Sequence, residues 1–187
     1  FGMKPVRMIG GAPYTGGQSR YRIAANYGTS IFQGDMVAQV TGGTVEVHAD
    51  GGTVPVVGVF NGVQYTDPTS GDQVFSNYYP ASTNASDIIA FIIDDPDVVY
   101  EVQADDTFPV TDLFGNFDIV YTSAGSTSTG ISGAELDVTT GATATTLPIK
   151  AIDISEDPNN SDTGAANTNV LVVIQNSVFG VKGAGLA

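Results

Sequence analysis

Cysteine and tryptophan are absent, histidine occurs once, and only 6 lysines and arginines stand against 20 aspartates and glutamates. Without cysteine there are no thiolate zinc sites, iron–sulfur clusters, thiol nucleophiles or disulfide scaffolds. The formal charge of −14 opposes nucleic-acid binding, which needs a basic footprint to displace counterions. It opposes an anionic membrane surface for the same reason. Long apolar runs are missing too: stretches such as Ile88 to Ile93 and Val170 to Ile174 fall far short of the roughly 20 residues of a spanning helix. Phe1 to Gly11 carries Lys4 and Arg7 with no apolar stretch behind them, so no secretory signal is expected there. With 187 residues the chain can bury one core of ordinary size without a staple. Its apolar share of 42% is that of a globular protein.

What is present points to strands. There are 22 valines and 13 isoleucines against 5 leucines, and β-branched side chains suit a pleated, half-buried surface. Thr44 to His48 alternates valine with polar residues, and in Val98 to Gln103 the side chains of Val98, Tyr100 and Val102 share one face. Val54 to Phe60, Ile88 to Ile93 and Val170 to Gln175 have the pattern of strands buried on both faces. Gly42-Gly43, Asp50-Gly51-Gly52, Asn61-Gly62, Asp67-Pro68, Asp95-Pro96 and Asp157-Pro158-Asn159-Asn160 supply turn chemistry between them. No sustained helical stripe occurs; at most Thr111 to Phe117 predicts a short helical turn. The polar stretches Thr122 to Gly133 and Asp157 to Asn169 are expected to be long surface loops. The fold class is therefore all-β, a single-domain β-barrel or β-sandwich of jelly-roll type.

Charge is placed unevenly. Lys4, Arg7, Arg20 and Arg22 fall in the first 22 residues, Lys150 and Lys182 come late, and Ile23 to Ile149 holds no lysine or arginine. Gly10-Gly11, Pro13 and Gly16-Gly17 break up the basic segment, so residues 1–22 are expected to form an extended arm and 23–187 one β-rich domain. Such an arm on an acidic body suggests docking on an acidic protein surface, with Lys4, Arg7, Tyr14, Arg20 and Arg22 as the contacts. The alternative is that its charges neutralise the protein's own carboxylates.

Constellations that carry chemistry are weak. Asp94, Asp95 and Asp97 are candidate ligands for a hard cation, but they lack EF-hand spacing and fit a tight turn opening the strand at Val98. Asp153, Glu156, Asp157 and Asp162 have the same status. No spacing singles out a glycosidase carboxylate pair. A serine triad would have to use His48, on the polar face of its strand, and no G-x-S-x-G elbow is present. Gly180 to Gly185 misses the dinucleotide fingerprint and the P-loop. No catalytic residue, cofactor or metal is expected.

Four blocks follow one another along the chain. The first is Phe1-Gly2-Met3-Lys4-Pro5-Val6-Arg7 with Gly11-Ala12-Pro13-Tyr14, and the second Thr29 to Val37. The third joins Tyr79 to Thr83 with Asp94 to Gln103; the fourth joins Ser132 to Asp137, Ala144 to Lys150 and Val172 to Asn176. Taken in this order they resemble the capsid cement, or head decoration, proteins of tailed bacteriophages. The chain departs from shorter relatives around Thr122 to Gly130 and at Asn84-Ala85-Ser86. The resemblance implies a non-enzymatic protein on the outer surface of an icosahedral head, clamping neighbouring major capsid subunits. It also implies a small oligomer, a homotrimer before a dimer. The competing readings are a phage tail or fibre component and a calcium-dependent carbohydrate-binding β-sandwich.

Overall fold

The computed structural model describes residues 1–181; Lys182 and the Gly183–Gly185 stretch lie outside them. The strands are β1 (Lys4–Met8), β2 (Ser19–Arg22), β3 (Ile31–Phe32), β4 (Met36–Val40), β5 (Thr44–Val47) and β6 (Val56–Thr66). They continue with β7 (Gln73–Ser76), β8 (Tyr78–Tyr79), β9 (Ile89–Ile93), β10 (Val98–Gln103), β11 (Asn116–Val120) and β12 (Gly125–Ser126). Last come β13 (Ile131–Ser132), β14 (Glu135–Ala142), β15 (Ile149–Ile154), β16 (Asn169–Ile174), β17 (Asn176–Ser177) and β18 (Gly180–Val181). The protein is all-β, an open sandwich-like single domain with no closed barrel. Among the described residues no helix is long and apolar enough to cross a membrane.

The first sheet runs β1-β10-β16-β15-β11-β14, antiparallel throughout. The second is organised by the 11-residue β6, which pairs β9 on one side and β4 and then β7 on the other; β2 extends the sheet beyond β9. Asn61-Gly62, expected to be a turn, instead forms a bulge within β6, where the register to β9 shifts. A bulge bends a strand without ending it, which lets one strand serve partners along its whole length. Gly58 is needed beside it: a Cβ there would run into the Ile93 carbonyl oxygen and lie 2.7 Å from the Ile92 side chain.

Alternation places the core. Val98, Tyr100 and Val102 all point inward and are fully buried, as their period-two spacing predicts. They pack with Val170, Val172, Phe108 and Phe117 against Val56, Val59 and Ile93 of the second sheet. The second sheet also buries its other face. Val57, Phe60, Val63, Ala90 and Ile92 lie under a cover made by Ile23, Ile31, Tyr79 and Ala85, whose short strands β3 and β8 pair with each other. Burial on both faces explains the unbroken apolar run of Val56 to Phe60.

The N-terminal segment corrects an expectation. Its backbone is extended, but it is not a free-standing arm. β1 pairs β10 and β2 pairs β9, each 67 or more residues away in sequence, while Met3 is 2% exposed in the central core. Gly2 seats this stretch at φ +65, where an added Cβ would lie 2.6 Å from the Ser132 Cβ and 2.8 Å from the Gly34 oxygen. The expected helical turn shrinks to a 3-10 turn at Val110–Asp112, and Asn116 already begins β11. Thr122 to Gly133 is mostly exposed but carries the β12–β13 hairpin and the buried Ser132.

Candidate functional site

The acidic turn between β9 and β10 is occupied by the protein itself. The Tyr21 hydroxyl donates to Asp94 Oδ2 at 2.7 Å, the Asp97 amide to Asp95 Oδ1 at 2.8 Å, and the Ile9 amide to the Asp97 carbonyl at 2.7 Å. Burial, then the Asp94 carboxylate, pushes the Tyr21 phenol far above its ordinary value. These bonds describe a turn stitched to the N-terminal segment. Among the described residues no three histidines or carboxylates are grouped to hold a metal ion.

The basic residues divide into two sets. Lys4 and Arg7 of β1 face their own protein's acids. Lys4 Nζ lies 3.3 Å from Glu101 Oε2, and Glu101 Oε1 accepts from Ser155 Oγ at 2.6 Å and Asn169 Nδ2 at 3.2 Å. Burial alone would raise the Glu101 carboxyl, but the bonds from Ser155, Lys4 and Asn169 outweigh it and hold the group below its ordinary value. Arg7 lines a shallow cleft with Asp153, Glu156 and Asp157 and donates to the Met8 carbonyl. Tyr14 is half-buried against the central core, its hydroxyl bonded to the Gly17 carbonyl. Burial first and Asp94 second raise its pKa.

Arg20 and Arg22 of β2 differ. Both side chains are exposed, and neither guanidinium meets a carboxylate among the described residues. Arg20 instead donates to Gln64 Oε1 at 3.3 Å and lies 5.8 Å from the centre of the Phe91 ring, within cation–π range. Register extends the surface. Arg20 stands opposite Phe91, Arg22 opposite Ile89, Ile89 opposite Gln64 and Gln64 opposite Phe75. In antiparallel sheets such partners share a face, so one face of β2, β9, β6 and β7 presents two arginines, two phenylalanines, Ile89 and Gln64.

This is the same face of β9 that carries Ile93, which the first sheet covers. The second sheet therefore overhangs the first and forms a ledge, on which Phe75 is 66% exposed. Where the ledge meets the edge of the first sheet there is a groove of about 470 Å³, floored by Met3, Val59 and Ile93 and flanked by Phe1, Asn61 and Ile131. The expectation that Ile88 to Ile93 is buried on both faces holds for Ile92 and Ile93 but not for Ile89 and Phe91, which are only half-buried.

Two buried titratable groups lie elsewhere. Asp35 is 2% exposed and accepts from the Phe32 amide at 2.7 Å and from Ser132 Oγ. Burial pushes its carboxyl up to about 6 against those two bonds. It sits at a junction, since the Gly34 oxygen next to it accepts from Met3 and its own carbonyl accepts from Phe60. His48, expected on a polar face, is 1% exposed with Nε2 3.0 Å from the Val54 carbonyl oxygen. Burial lowers its pKa. Neither residue touches the ledge's arginines.

Sequence reasoning named Arg20 and Arg22 and missed Phe75, Phe91 and Gln64. The signal for Phe75 was available, because Gln73-Val74-Phe75-Ser76 alternates and Val74 takes the buried side. Phe91 sits inside an apolar run that hides its exposure. Comparison with known proteins finds no matching family model, no similar curated protein and no similar solved structure.

Proposed function

We propose that this chain is a structural protein of a tailed-phage virion, a cement protein that binds the outer surface of the icosahedral head and clamps neighbouring major capsid subunits. The observation that carries the reading is the ledge, an exposed arginine–aromatic face on a body of formal charge −14, which suits a structural protein that assembles with other protein surfaces, its own copies included. Arginine and aromatic side chains are the residues enriched where proteins dock. Support also comes from the ordered resemblance to head decoration proteins. An acidic body is repelled by packaged DNA, which favours the outside of the shell. A small oligomer, a trimer before a dimer, turns modest contacts into tight attachment through effective concentration.

Co-sedimentation of the purified protein with undecorated, expanded heads tests the reading. Saturable binding and slower thermal rupture of the heads are expected. Binding only to isolated tails, or to neither, overturns it.

A further inference from the structure

We propose that the ledge is filled by a second copy of this chain, which inserts its turn between β10 and β11. The inference rests on the structural-protein reading above and names the partner of the surface that carries it.

The ledge asks for an occupant that is both apolar and acidic, because its phenylalanines and Ile89 lie beside two guanidiniums without a carboxylate among the described residues. The β10–β11 turn has that chemistry. Val110 and Phe114 are 58% and 51% exposed, and Asp106 and Asp112 stand on the same short stretch. The turn is also stiff, as a protruding contact must be to dock at low entropic cost. The Asp112 amide bonds to the Pro109 carbonyl, Leu113 to Val110 and Gly115 to Asp112, while the Phe114 amide reaches the Ala151 carbonyl at 2.9 Å. Leu113 packs down on the core.

Phe114 is held at φ +67, a conformation uncommon for any residue but glycine, asparagine or aspartate. Within the chain this backbone seats its amide on Ala151 and its carbonyl on Lys150 Nζ, and it turns the aromatic ring outward. In a complex the ring becomes an anchor, and anchors of this kind supply much of an interface's stability.

The two surfaces belong to different sheets, so pairing one with the other is a head-to-tail contact. Repeated contacts of that type close into a ring or run on as a filament. A ring of three is the closed form that matches the expected trimer. The contact sets charge against charge, so it weakens as salt screens it.

Sedimentation velocity of the full chain at micromolar concentration, at low and high salt, is the test. The wild type is expected to form a closed oligomer. Two charge-reversed forms, Arg20→Glu with Arg22→Glu and Asp106→Lys with Asp112→Lys, are each expected to associate at least about 100-fold more weakly. An equimolar mixture of them regains association, since each altered surface matches the other. Phe114→Ser, which leaves every charge in place, weakens association too, and circular dichroism checks that each variant keeps its fold. A monomeric wild type overturns the proposal, as do charge-reversed forms that keep the native oligomer. If the arginine-reversed form stays oligomeric but no longer binds heads, the shell is the ledge's occupant and the proposal fails. A native oligomer that these variants break but that never binds heads sinks the cement reading and leaves this contact standing.

Discussion

β1 and β2 come from one basic segment, each is an edge strand of its sheet, and each carries two cations. Their surroundings make them opposites. Around β1 the loop after β15 brings Ser155, Glu156 and Asp157 over the sheet, so Lys4 joins the bonded cluster around Glu101 and Arg7 sits among acids. Around β2 the overhang leaves Arg20 and Arg22 beside Phe91 and Ile89, with no ion pair to a carboxylate among the described residues. Proximity in sequence thus says little about whether a charge is available to a partner. The pairing of distant strands decides it, and here it sets one pair among the protein's own acids and leaves the other beside half-buried and exposed apolar side chains.

The contrast predicts that the β1 side is costly to disturb and the β2 side is not. Gly2→Ala should be the most damaging change. It forces a side chain into a left-handed backbone against Ser132 and Gly34, at a cost of about 4 kcal/mol from strain and overpacking together. Urea unfolding of the variant measures it.

The junction behind β1 carries a pH signature of its own. The folded-state pKa of Asp35 lies near 6 against an ordinary 3.8, so the folded protein binds the proton more tightly than the unfolded chain does. That contribution is fully present below about pH 4 and declines as pH rises toward 6, a loss of about 3 kcal/mol. The difference in stability between wild type and Asp35→Asn, followed from pH 4 to 7, should show this step. A flat difference would mean that burial does not perturb the carboxyl.

Glu101→Gln keeps the shape of the β1 anchor but removes its charge, and should cost about 2 kcal/mol through weakened bonds to Lys4, Ser155 and Asn169. Because the folded pKa of Glu101 is depressed, the anchor is present above the ordinary carboxyl value and is lost as pH falls through the folded one. The Gln variant should therefore lose least, relative to wild type, in acid. Replacing both Arg20 and Arg22 by alanine should change the stability of the dissociated chain, read by urea unfolding at a concentration too low for association, by less than about 0.5 kcal/mol, as for surface sites without buried partners. A large loss there would erase the contrast between the two strands.

Much of the architecture was legible because it rests on local alternation. Val98, Tyr100 and Val102, the turns at Gly42-Gly43 and Asp67-Pro68, and the doubly buried start of β6 all follow from period and turn chemistry. Local rules fail where long-range pairing overrides them. Lys-Pro-Val-Arg-Met and Ser-Arg-Tyr-Arg look like pieces of a loop, with glycine and proline on every side, and become strands only because β10 and β9 receive them. Asn61-Gly62 carries turn chemistry, yet pairing on both sides of β6 holds it as a bulge. The buried positions of Asp35 and His48 arise from chain segments folding over them, which leaves no local mark. The site was half legible for the same reason: the arginines were visible as charge, whereas the aromatic half of the ledge appears only when four strands are laid side by side.

Cryo-imaging of phage particles that carry this chain, with the protein located by a bound antibody fragment, tests the central claim most directly. The claim predicts repeated density on the outer surface of the head, at positions where several capsid subunits meet. Density confined to the tail, or heads with a bare outer surface, would contradict it.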